Sequence, residues 1–280
     1  MSLKLKSGSV VTEPKVFMVG VQDVNWEKLQ DFLNSECFRE WESGAKEASE
    51  ILTEVAGRLC YMSFSGGRNH ADYIENIREH KHGSVLEHAA VSFIITGVSR
   101  TLTHELVRHR AGWSYSQLSQ RYVDHDHCQF VCPKDILECK DHPIWGHVYK
   151  NWVEACSLQR TLYECVRDSL IHKFCRPDGE AVSSEDFEAG KKKHRKRING
   201  ASRSLLPACT ETKIFCTVNA RALRHFVEMR ATPEADTEIR ELAICLYNAV
   251  LSEMPAIFSD YELYDHPEAG NCLRSKHRKV

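Results

Sequence analysis

The segment Ala89–Ser99 runs eleven residues without a formal charge and carries Val91, Phe93, Ile94, Ile95 and Val98. A run this short, rich in β-branched and aromatic residues, predicts a buried strand. It is too short to cross a bilayer as a helix. Ser99 then stands where an N-cap is needed, and Leu102 and Leu106 form an apolar i, i+4 pair. A helix from Arg100 to about His109 is therefore expected directly after the strand. A strand that feeds straight into a helix commits the chain to a fold with both kinds of layer.

The same reasoning places strands at Pro14–Val21, Gln129–Cys132 and Thr212–Val218. Helices are expected at Glu47–Met62, Ala71–His80, Pro143 to about Phe174, Lys191–Leu205 and Ala220–Arg230. Another restarts at Thr232-Pro233, with Thr as cap and Pro at the first position. Gly112 ends the Arg100 helix, and Arg121 opens a possible strand. Strands and helices mix without βαβ alternation, so the fold class is α+β. No glycine-rich loop follows a strand, which disfavours Rossmann and Walker sites. The whole of 1–280 reads as a single domain, with flexible tails at 1–13 and 268–280 and a surface loop at 176–190.

Lys plus Arg number 37 and Asp plus Glu 39, a net charge of −2, which argues against a wholly electrostatic nucleic-acid binder. No apolar signal segment is visible at the start, so the 12 cysteines read as reduced thiols of a cytoplasmic protein.

Chemistry is concentrated in two arginine-rich stretches. Arg100, His104 and Arg108 fall at i, i+4 and i+8, one stripe if the helix continues. Arg110, Ser114, Gln117, Ser119 and Arg121 follow closely. Guanidinium forks bind phosphate oxygens bidentately, and Ser and Gln add neutral donors, so a phosphorylated small molecule is the indicated ligand. A solvated charged face is the competing reading. Downstream, Asn219 can cap a helix whose N-terminus favours anions, and Arg221 and His225 lie one turn apart on it.

These residues resemble the flavin-dependent thymidylate synthase family. Arg108-His109-Arg110 precedes Ser119 by eight intervening residues, the long end of that family's signature. His82-Gly-Ser84-Val-Leu-Glu87-His88 looks like its upstream flavin segment. Arg203-Ser-Leu-Leu-Pro207 and Asn219–Arg230 look like its downstream elements, in the family's order. The likeness covers most of 81–124 and 199–258, and is looser from 16 to 64.

The resemblance implies a mixed α/β roll with long helices packed on a central sheet, and a homotetramer with active sites at subunit interfaces. It implies conversion of dUMP to dTMP with 5,10-methylenetetrahydrofolate, NADPH and FAD. Carried over by position, His82, Ser84, Arg108, His109, Arg110, Gln117, Asn219, Ala220, Arg221 and His225 would contact FAD. Glu105, Leu106, Val107, Arg108, Gln117, Leu118, Ser119, Gln120, Arg121, Arg203 and Arg230 would line the dUMP site. Arg230 would stabilise negative charge on the uracil ring without an enzyme nucleophile, and no cysteine would be catalytic.

Two features lie outside that pattern. His125, His127, Cys128, Cys132, Cys139 and His142 could suggest zinc, but their spacing matches no standard finger, so no metal is expected. Lys191-Lys-Lys-His-Arg-Lys-Arg197 carries six positive charges, as an exposed helix side or a polyanion contact. Rival readings are a polyanion- or RNA-binding module with a decayed flavin site, and a flavin enzyme adding another one-carbon group to a uracil nucleotide.

Overall fold

The computed structural model describes residues 10–176 and 178–280. In chain order its elements are β1 (Val10–Val11), β2 (Lys15–Gly20), α1 (Trp26–Ser35), α2 (Ala48–Leu59), α3 (His70–Glu79), a 3₁₀ turn at Gly83–His88, β3 (Ala90–Ser99) and α4 (Arg100–Leu106). Then come β4 (Trp113–Gln117), β5 (Phe130–Val131), α5 (Lys134–Glu138), α6 (Gly146–Cys175), α7 (Ser184–Ser202) and a 3₁₀ turn at Arg203–Leu205. The chain ends with β6 (Glu211–Asn219), α8 (Ala220–Arg230), α9 (Thr237–Val250), α10 (Pro255–Phe258), β7 (Tyr261–His266) and β8 (Gly270–Ser275). A four-stranded sheet has the order β2-β3-β6-β4, β1 pairs with β5 in parallel, and β7 pairs with β8 antiparallel. The mixed helix-and-sheet class is the one expected from the sequence.

The described chain groups into two compact units. Of the described residues, one comprises 10–13, 96–104, 117–176 and 178–213; the other comprises 14–95, 105–116 and 214–280. In the first, α6 and α7 pack together, and Ile171, Cys175 and Ile198 are buried with Phe174 and Phe187 against them. A second cluster joins Cys128, Phe130 and Cys156. In the second unit the buried faces of β3 (Val91, Phe93, Ile95) and β6 (Ile214, Cys216, Val218) belong to a core with Leu223, Phe226, Leu242 and Leu246. Burying one such side chain stabilises by roughly 1.5–3 kcal/mol.

Several expectations are corrected. Ser99 does cap α4, its Oγ accepting from Leu102 N at 3.0 Å, but the helix ends at Leu106, so Arg108 leaves the proposed stripe. The stretch after Gly112 is strand β4, whose alternating Trp113-Ser-Tyr115-Ser-Gln117 pattern was available in the sequence. Arg121 lies in a turn, not a strand. Residues 184–190 begin α7, capped by Ser183, so the surface loop is shorter than 176–190. The helix after α8 starts at Thr237 with Asp236 as its cap, because the Asp236 carboxylate accepts from Glu238 N. The 268–280 stretch is not a free tail: β8 pairs through six register positions with β7, and Val280 is buried. Residues 10 and 11 form β1, while 1–9 of the expected N-terminal tail lie outside the described residues.

Buried charge organises the second unit. Asp260 accepts a bidentate pair from Arg224 at 2.6 and 2.9 Å and a further bond from Arg78 at 3.0 Å. Burial alone would raise the Asp260 pKa, but the Arg224 hydrogen bonds and charge hold it far below the usual carboxylate range. His70 bridges two buried carboxylates, with Nδ1 2.9 Å from Glu54 and Nε2 3.0 Å from Glu50. Burial opposes its charge, yet the hydrogen bonds its ring donates to Glu50 and Glu54 raise it to about 9. Because the folded pKa exceeds the ordinary value of about 6.5, this stabilisation is complete below that value and is lost as pH rises through 9. Urea unfolding between pH 6 and 9.5 is expected to lose up to about 3 kcal/mol from this source. In His70→Gln that slope should be absent.

Candidate functional site

Helix α8 presents the chemistry of the second unit. Asn219 caps it, its Oδ1 accepting from Ala222 N at 2.9 Å, which leaves the helix N-terminus preformed beside Arg221. Ala220 N donates to Ala89 O at 2.8 Å, tying this start to the residue before β3. Leu223, Phe226 and Val227 turn inward, while Arg221 and His225 stay exposed. Arg221 pairs with Glu87 at 2.6 Å, both about half exposed.

A cavity of about 330 Å³ opens here, bordered by His82, Ser84 and Arg221 together with Cys60, Tyr61 and Tyr73. The first three are residues expected at the flavin. The other three were not foreseen, because nothing in the sequence links α2 and α3 to the Gly83 turn. Lys81, just before that turn, takes a positive φ of 56°.

Arg230, at the end of α8, is fixed from two sides. It pairs with Glu105 at 3.1 Å, and its Nε donates to His109 Nε2 at 3.2 Å. Accepting that bond leaves the imidazole proton on Nδ1. The His109 ring meets Phe226 edge-on at 5.0 Å, with His225 6.3 Å away. Burial, then the Arg230 and His225 charges, lower His109 to about 4, so the ring is neutral at physiological pH. The turn carrying His109 is buttressed by Tyr115, whose hydroxyl lies 2.9 Å from the carbonyls of both Leu106 and His109. Gly112 closes it with φ +72°, and a Cβ there would stand 2.7 Å from Ala222 Cβ and from Asn219 Nδ2. Only glycine suits both the left-handed conformation and that approach.

Of the other expected residues, Gln117, Leu118, Ser119, Gln120, Arg121 and Arg203 are in the first unit, while Leu106, Val107, Arg108 and Arg110 are in the second. Gln117 Nε2 donates to Thr103 Oγ1 at 2.8 Å, and Leu118 N donates to Lys213 O at 2.9 Å. Ser119 shapes a turn, its Oγ accepting from Arg121 N at 3.3 Å, and Gln120 is buried. Burial, then the nearby charge of Arg203, lower the Arg100 pKa. Among the described residues, Arg108, Arg110, Arg121 and Arg203 have no ion-pair partner, and all four are exposed. A guanidinium group without a carboxylate partner has the fork geometry to bind carboxylate or phosphate oxygens bidentately.

The Cys/His-rich stretch assembles differently. Cys128 and Phe130 are in the hydrophobic cluster with Cys156, and His125 is buried with Nδ1 2.9 Å from the Val123 carbonyl oxygen. Among the described residues no group of three His, Cys, Asp or Glu could hold a metal ion. No described helix is long and apolar enough to cross a membrane.

Two measurements check this geometry. Histidine NMR should find the His109 ring unchanged between pH 5.5 and 8 and titrating near 4. Gly112→Ala should destabilise by at least about 2 kcal/mol in urea unfolding, from backbone strain and overpacking.

Known proteins resemble this chain over most of its length. The family model described as thymidylate synthase complementing protein matches residues 45–256. A flavin-dependent thymidylate synthase from Mycobacterium sp. (strain JLS) is 41% identical over 228 residues, 80% of this chain and 84% of the relative. One from Mycobacterium tuberculosis (strain ATCC 25177 / H37Ra) is 40% identical over 227 residues, 80% of this chain and 83% of the relative. The crystal structure of the UMP/dUMP methylase PolB from Streptomyces cacaoi, bound with 5-Br dUMP, superposes with a TM-score of 0.61 at 18% identity. That match covers 90% of this chain and 95% of the other, and establishes likeness of fold. With its Arg108-His109-Arg110 turn seated against a capped α8, the chain belongs to the flavin-dependent thymidylate synthase family.

Proposed function

We propose that this chain methylates dUMP reductively to dTMP, taking carbon from 5,10-methylenetetrahydrofolate and reducing power from NADPH. The observation that carries the reading is the fixed Arg230, oriented by Glu105 and a neutral His109 of the Arg108-His109-Arg110 turn. Arg230 would lie at the N3/O2 edge of uracil and stabilise negative charge developing on the ring. A ring polarised in this way needs no enzyme nucleophile. Burial pushes the Cys216 thiol up to about 12, which supports a non-catalytic role for that cysteine.

His82, Ser84, Arg108, His109, Arg110, Gln117, Asn219, Ala220, Arg221 and His225 would hold FAD. The fit is supported by the cavity beside His82, Ser84 and Arg221 and by the exposed Arg108 and Arg110, which suit a diphosphate. FAD bound there would supply the redox chemistry of the reaction, as the hydride carrier between NADPH and the methylation. Glu105, Leu106, Val107, Arg108, Gln117, Leu118, Ser119, Gln120, Arg121, Arg203 and Arg230 would form the dUMP site, the exposed arginines taking its phosphate.

The cavity at His82 is too small for a whole dinucleotide, so a neighbouring subunit would complete it. Exposed Phe17, Val19, Ile94 and Phe215 on the sheet strands favour such assembly, and we read the protein as a homotetramer working in the cytoplasm. The single-domain reading of the sequence is kept in this proposal: both compact units belong to one catalytic domain.

Purified protein should show a flavin absorption spectrum, and reduced flavin should reoxidise in a deoxyuridylate-dependent manner. Arg230→Ala should abolish turnover, by at least about 100-fold for loss of such an electrostatic contact, while retaining much of the flavin. A fully active Arg230→Ala protein would refute the assignment. Arg108→Ala should weaken flavin and nucleotide binding together.

A further inference from the structure

The first unit holds a second cavity, of about 180 Å³, between α6 and α7. Its wall carries Arg167 from α6 and Lys191, Lys192 and Arg195 from the basic run of α7. The carboxylates on the same wall are Asp124 and Glu188. Carboxylates match Arg167 and face Lys191, so Lys192 and Arg195 are the two cations on this wall left unmatched among the described residues.

The partners of these groups divide them sharply. Arg167 is buried, and Asp124 at 2.8 Å and Asp126 at 3.0 Å accept from its two terminal nitrogens. Its Nε has no hydrogen-bond partner. Asp124 is in turn held by Asn199 Nδ2 at 2.9 Å. Lys191 approaches Glu188 only to 3.8 Å. Lys192 and Arg195 are exposed and, among the described residues, have no ion-pair partner.

Positions 188, 191, 192, 195, 198 and 199 form one helical face of α7, so these charges sit on the side turned to the cavity. Only part of the basic run is therefore the plain solvated side that a charge run usually is.

We propose that this cavity is an anion site, separate from the residues assigned to dUMP and FAD, that takes a compact oligoanion: closely spaced phosphates or carboxylates carrying at least two charges. Arg167 forms the charged floor and Lys192 and Arg195 supply the mobile rim. At about 180 Å³ the cavity lies below the roughly 300–1,000 Å³ of sites that enclose a drug-sized molecule, so it admits a charged tail or a small inorganic anion rather than a nucleotide. The near-neutral net charge of the chain argues against an extended nucleic acid as the occupant.

The test is calorimetric titration of the full chain, with excess dUMP present, using tripolyphosphate, triglutamate and a 20-mer of single-stranded RNA. Saturable binding of tripolyphosphate or triglutamate is expected, weakened at least tenfold in Lys192→Glu/Arg195→Glu. Binding by only one of the two small anions would support the site and identify phosphate or carboxylate as its source. A control reversal of exposed lysines that do not line the cavity, Lys46→Glu/Lys150→Glu, should change affinity less than twofold. Thermal melts of both variants should match the parent. No saturable binding, equal loss in the control, or preference for RNA over both small anions would each overturn the proposal.

Discussion

Arg224 decides where helix α8 can lie. It is almost fully buried, its guanidinium is locked bidentately to Asp260, and its face covers the Tyr261 ring at 4.9 Å. Isolating either partner would leave a charge in the core, a loss of several kcal/mol. The pair joins α8 to the start of the β7–β8 hairpin, and Arg78 brings α3 to the same carboxylate. Asn219, Arg221, His225 and Arg230 all stand on α8 or at its cap, so their spacing inherits this rigidity. A functional constellation on a pinned helix keeps its geometry better than one on a loop.

The arginines then separate by the company they keep. Arg224, Arg78 and Arg58 are buried and matched to carboxylates, so they serve the fold, while Arg167, matched likewise, lines the cavity between α6 and α7. Arg221 and Arg230 are partly exposed with one carboxylate each. Arg108, Arg110, Arg121 and Arg203 are exposed and unmatched among the described residues. Unmatched guanidinium groups of this kind keep their forks free for bidentate hydrogen bonds. His109 belongs to the same logic: an imidazole held neutral beside a guanidinium can orient it without adding repulsion.

Local elements were legible where a single physical rule dominated. The apolar run of β3 and the Ser99 cap of α4 follow from burial and from unsatisfied N–H groups, and both are present. The Asn219 cap and the span Ala220–Arg230 were read correctly for the same reason. Reading failed where long-range partners decide. β4 exists because its edge has β6 to bond with, a pairing invisible locally. The polar C-terminal stretch resembles a solvated tail until β7 supplies its register. At 184–190 the helix capped by Ser183 runs through a stretch too polar to show an apolar periodicity.

By itself the sequence determined the class of layers, the helix caps and the ordered motifs that place the chain in its family, because these depend on residues near one another along the backbone. Tertiary structure alone decided that Arg224 is structural while its neighbour Arg221 faces a cavity, that His109 is neutral, and that part of the α7 basic run lines a pocket. Charge and acidity are set by desolvation and by groups distant in the chain, and those are fixed only when the polypeptide closes on itself.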